Sequence, residues 1–71
     1  MSIEANIDFY NALISKNDLT DFDINLKIIS VEALLAKYNT YKSIKNRNDI
    51  QEKSFQLLET WYNQYNQNKP Q

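Results

Sequence analysis

Asp23, Asn25 and Lys27 stand at alternate positions in this chain, interleaved with Phe22, Ile24, Leu26 and Ile28. A carboxylate, an amide and an ammonium on one edge supply acceptors and donors, which is chemistry of recognition by hydrogen bonding. Farther on, Lys42, Lys45 and Arg47 fall within six positions, and a basic cluster of that kind either meets phosphate or simply faces water. Bond-making chemistry has far less to work with. Cysteine, histidine and glycine are all absent, which excludes disulfides and removes the usual zinc ligands, most nucleophile and general-base arrangements and Gly-rich phosphate loops. The expectation is a binding protein that is not an enzyme and uses no cofactor and no metal.

The element that must position those three polar residues follows from their spacing. Residues 21–28 alternate polar and apolar without error, and a period of two predicts a half-buried strand. One strand leaves its N–H and C=O groups unpaired, and no second alternating run or hairpin turn is present to satisfy them. The strand therefore asks for a copy of itself, which predicts a homodimer. Size points the same way, because a 71-residue chain has a marginal core unless disulfides, metal or oligomerisation add to it. A second template also fits: Ile24, Ile28, Val31, Leu35 and Tyr38 recur at spacings of four, three, four and three, as on one face of a continuous helix.

The flanking segments read as helices. Over residues 2–15, Ser2 is a candidate N-cap, and Ile3, Ile7, Tyr10 and Ile14 recur at helical spacing. Ser30 offers a cap for a helix from Val31 to about Lys45, with Leu34, Leu35, Tyr38 and Tyr41 as its apolar face. Asn46 and Asp49 are spaced as N-cap and N3 of a last helix, in which Ile50, Phe55, Leu57, Leu58, Trp61, Tyr62 and Tyr65 cover more than one stripe and are expected to meet neighbours on two sides, with Trp61, Tyr62 and Tyr65 in a core or dimer interface. Residues 67–71 are expected to fray. Residues 1–20 carry a net −2 and the remainder +1. The longest apolar run, Ala33-Leu34-Leu35-Ala36, is too short to span a membrane, and no signal peptide is evident, so a cytoplasmic protein is expected.

Strand, helix, turn, helix within some fifty residues resembles the ribbon-helix-helix family of DNA-binding proteins. Ile24-Asn25-Leu26-Lys27-Ile28 followed by Ser30 looks like the family's ribbon and first helix. The run from Asn46 to Leu58 is similar to its second-helix pattern, with Gln51 and Ser54 departing from the usual apolar and small residues. The resemblance implies a β-α-α homodimer over residues 21–66, with residues 1–20 as an extra N-terminal helix and connector. It implies a transcriptional repressor or plasmid or phage regulatory protein, whose two-stranded ribbon enters the major groove of double-stranded DNA. Asp23, Asn25 and Lys27 would contact bases, and Lys45, Asn46, Arg47 and Asn48 would contact phosphates. Phe22, Ile24, Leu26, Ile28, Leu35, Tyr38, Leu58 and Trp61 would form the dimer core.

The alternative is an all-α helical bundle acting as a small protein-protein interaction module, such as a phage-encoded inhibitor, an immunity protein or a secretion-apparatus component, without DNA binding. The acidic total, Asp23 on the supposed DNA face and the apolar face of residues 3–14, available to a protein partner, motivate it.

Overall fold

A computed structural model describes residues 2–67, which form three helices: α1 (Ile3–Ile14), α2 (Asp21–Ser43) and α3 (Asp49–Gln67). Each packs against the other two. Ser2 caps α1 as its spacing predicts, its hydroxyl accepting from the Ala5 N–H at 3.1 Å. No strand occurs among the described residues. The ribbon-helix-helix (β-α-α) expectation is therefore corrected to the all-α alternative, and the strand over residues 21–28 is the first two turns of α2.

The physical reason lies at the start of α2. Thr20 and Asp23 form a capping box, the Thr20 hydroxyl accepting from the Asp23 N–H at 3.1 Å and the Asp23 carboxylate accepting from the Thr20 N–H at 3.2 Å. Those two bonds satisfy donors that a helix start otherwise leaves orphaned. The Ile24 N–H then donates to the Thr20 carbonyl at 3.0 Å, closing the first turn. Asp21 and Asp23 also place negative charge at the positive end of the helix dipole. Within a helix the backbone pairs with itself, so the unsatisfied ladder from which a homodimer was expected does not arise. Ser30, expected as an N-cap, lies inside α2.

The core forms where the three helices meet. Leu34 of α2 and Leu58 of α3 are wholly buried, and Tyr10, Tyr38, Phe55 and Trp61 close around them, while Leu13 of α1 is buried outside this cluster. The aromatic rings order this layer. Tyr38 stacks on Tyr62 at 4.3 Å and on Phe55 at 5.8 Å, while Trp61 stacks on Tyr65 at 5.3 Å and meets Tyr10 edge-on at 5.7 Å. Pairs of this kind contribute about 0.5–1.5 kcal/mol each beyond their burial. The last helix starts two residues later than its spacing predicts: the cap is Asn48, whose side chain accepts from the Gln51 N–H at 2.8 Å while the Gln51 side-chain oxygen accepts from the Asn48 N–H at 3.0 Å. At its other end α3 runs on through Asn66 and Gln67, and the rest of the tail expected to fray, residues 68–71, lies outside the described residues.

Truncation of the central leucines tests this core. Leu34→Ala and Leu58→Ala are each expected to cost about 2–5 kcal/mol, a large share of the roughly 4–11 kcal/mol available to a domain of this size. Urea denaturation followed by circular dichroism measures it, and a loss below about 1 kcal/mol in both variants would contradict this packing.

Candidate functional site

Helical geometry redistributes the residues expected to recognise DNA. At about 100° per residue, Asp23 and Lys27 share one face of α2, and Asn25 points away from both by about 200°. Asp23 faces inward at 7% exposure, accepting from the Lys16 ammonium at 3.0 Å in addition to the Thr20 contacts. Lys27 is half-buried and Asn25 exposed. The three side chains do not form a common edge. The Lys16 ammonium and the Thr20 N–H hold the Asp23 carboxyl below its ordinary value.

The basic cluster is divided as well. Lys45, Asn46 and Asn48 are exposed in the connector after α2, but Arg47 is half-buried. Its guanidinium donates to the carbonyls of Tyr41 at 2.9 Å and Ile44 at 3.3 Å, pairs with Glu52 at 2.8 Å and lies 4.0 Å over the Phe55 ring. Arg47 thereby neutralises carbonyls at the negative end of α2 and ties that end to α3. The same contact lowers the Glu52 carboxyl. Lys42 sits 5.6 Å from the centre of the Tyr38 ring. Four of the five hydrogen-bond donors of the arginine side chain belong to its two terminal nitrogens, and one of those nitrogens together with Nε is already engaged inside the fold.

The residues expected in a dimer core separate into two groups. Tyr38, Leu58 and Trp61 are buried within the single chain, and Leu35 and Leu26 are half-buried. Phe22, Ile24 and Ile28 instead face solvent, at 70%, 42% and 50% exposure, and Ile29 joins them at 61%. Phe22 and Ile29 lie seven residues apart on one flank of α2, Ile24 and Ile28 four apart on the other, with Asn25 between the two pairs. Ile29 is the residue missed by the sequence reading. Its signal was present: residues 22–31 hold more large apolar side chains than a single buried stripe requires, and α2 as a whole has almost no preferred apolar side.

Other features offer less. An open depression of ≈ 430 Å³ lies where the start of α1 meets α2 and α3, lined by Glu4, Lys37, Tyr41 and Ser54 among others. Among the described residues the buried indole N–H of Trp61 meets no hydrogen-bond acceptor, and the ring packs against Tyr10 and Tyr65. Among the described residues no group of acidic side chains is arranged to hold a metal ion, and no helix is long and apolar enough to cross a membrane.

Acid titration tests the Lys16–Asp23–Thr20 contacts. A carboxyl lowered by folding contributes stability that is complete above its unfolded value, about 3.9 for aspartate, and lost as pH falls through the lower folded value. The stability difference between the native chain and Asp23→Asn is expected to be largest near neutrality and to shrink progressively from about pH 5 downward. Thermal melts across that range report it, and a difference independent of pH would rule the ion pair out as its source. Comparison of the chain with protein-family models, curated proteins and solved structures finds no match.

Proposed function

We propose that this chain is a small helical protein-protein interaction module, which docks a protein partner on the solvent face of the first half of α2 and acts without binding DNA. The observation that carries this reading is the exposure of Phe22, Ile24, Ile28 and Ile29 on one short stretch of a well-capped helix. Together they present on the order of 400 Å² of apolar surface, within the 300–600 Å² range of the largest and often functional patches on monomers. A helix that is apolar on both its inner and its outer side is expected to be covered on both.

Magnitudes set the kind of binding. Burying the patch is worth roughly 10 kcal/mol in gross transfer free energy at about 25 cal/mol per Å². Association costs a comparable amount, about 4–15 kcal/mol, so the apolar contact alone supports weak to moderate affinity. The polar rim must supply selectivity.

Support for the DNA reading is thinner. The helix denies it a ribbon, and Arg47, its strongest phosphate ligand, is committed to Tyr41, Ile44, Glu52 and Phe55. Two measurements test the choice. Fluorescence anisotropy with random-sequence duplex DNA is expected to show no binding even at about 50 mM salt, where phosphate attraction is strong. Selection of a displayed peptide library on the immobilised protein is expected to yield ligands whose binding is lost in Phe22→Ser/Ile29→Ser and kept in Leu57→Ser. Tight duplex binding, or peptides indifferent to the α2 substitutions, would overturn the proposal.

A further inference from the structure

Resting on that docking reading, we infer that the partner is a cationic amphipathic helix: an apolar stripe framed at both ends by lysine or arginine. The charge around the patch carries this inference. Asp21 and Glu32 are eleven residues apart on α2, which places them in nearly the same direction and about 16 Å apart along the axis. Asn25 and Ile28 lie between them on the same stripe, so the two carboxylates bracket the apolar surface at its two ends. Both are exposed, and among the described residues neither takes part in an ion pair.

Among the described residues no cation pairs with them on this face. Lys27 lies on the opposite side of α2 and is half-buried, and Lys16 is held by Asp23 at 3.0 Å. The connector entering α2 adds the exposed Asp18. Such a rim repels nucleic acid and anionic lipid and attracts a basic surface. A second copy of this chain fits poorly, since an antiparallel pairing centred on the patch would set Asp21 close to Glu32 of its twin. An extended peptide has no sheet edge to join. A helix remains, because its side-chain ridges seat between the Phe22–Ile29 and Ile24–Ile28 flanks.

The test uses the full chain and two synthetic helical peptides of equal length, each spanning about three turns with leucine at positions i, i+4 and i+7. One carries lysines at both ends of the leucine stripe, the other glutamates. In amide NMR titrations the lysine peptide is expected to shift residues 21–33, with an affinity at least about tenfold above that of the glutamate peptide. Asp21→Asn/Glu32→Gln is expected to weaken it about fivefold and to flatten its dependence on salt. Phe22→Ser/Ile29→Ser should abolish binding while melting like the native chain. Equal binding of the two peptides, no effect of the neutralised pair, or shifts centred on Lys45 and its neighbours would overturn the inference. So would a dimer in sedimentation that Phe22→Ser dissociates. Library ligands that need Phe22 and Ile29 but carry acidic or neutral flanks would leave the docking reading standing and remove only the basic partner.

Discussion

Asp23 accepts the Thr20 N–H and the Lys16 ammonium while its own N–H donates to the Thr20 hydroxyl, and the phase of α2 follows from those bonds. A helix begun at Asp21 turns Leu34 and Tyr38 toward α1 and α3 and leaves Phe22 and Ile29 outside. Begun at Ser30, the same residues would have left a strand behind them and a need for a second chain. The carboxylate also joins the α1–α2 connector, through Lys16, to the first turn of α2. One side chain thus settles the secondary structure of ten residues and the path of the chain into them.

The other junction is built on a cation. Arg47 gathers the last carbonyls of α2, the Glu52 carboxylate and the Phe55 ring, so the turn between α2 and α3 is held without glycine. Each connector therefore uses one ion pair together with a capping residue: Lys16–Asp23 with Thr20, and Arg47–Glu52 with Asn48. Between these two ties the core is mostly aromatic: stacking of Tyr38 on Phe55 and Tyr62 sets how α2 and α3 face one another, and the edge-on contact of Tyr10 with Trp61 joins α1 to α3. The stabilising elements are thus concentrated at the two ends of α2 and along its inner side. Its outer side near the N-terminus is free of any structural task.

That freedom matters for function. Phe22, Ile24, Ile28 and Ile29 gain little for the isolated fold, since they remain 42–70% exposed. Four large apolar residues kept in water within eight positions raise the risk of nonspecific association. A covering surface with basic ends removes that risk and meets the two carboxylates at the same time. Rigidity helps here, because a patch on a helix anchored at both ends loses little conformational entropy on docking.

Much of the helical content was legible in the chain itself. Ser2 with Ile3, Ile7 and Tyr10 specified α1, and the apolar positions of residues 55–65 specified α3 and its role in the core, because local capping and a 3.6-residue period need no distant information. The 4,3,4,3 spacing from Ile24 to Tyr38 was legible too, alongside a perfect alternation from 21 to 28 that fitted a strand equally well. Periodicity alone does not separate those two when apolar residues are dense. The Thr20–Asp23 capping box, itself a local signal, starts the helix, and tertiary structure secured it: Lys16, seven residues before Asp23, pairs with that carboxylate, and the packing of Leu34 and Tyr38 in the core rewards the helical phase. The same packing decided that Tyr38, Leu58 and Trp61 serve one chain, and that Arg47 serves a turn. It also decided which apolar residues of α2 were left outside, since exposure depends on what the neighbouring helices cover, and no local pattern encodes that.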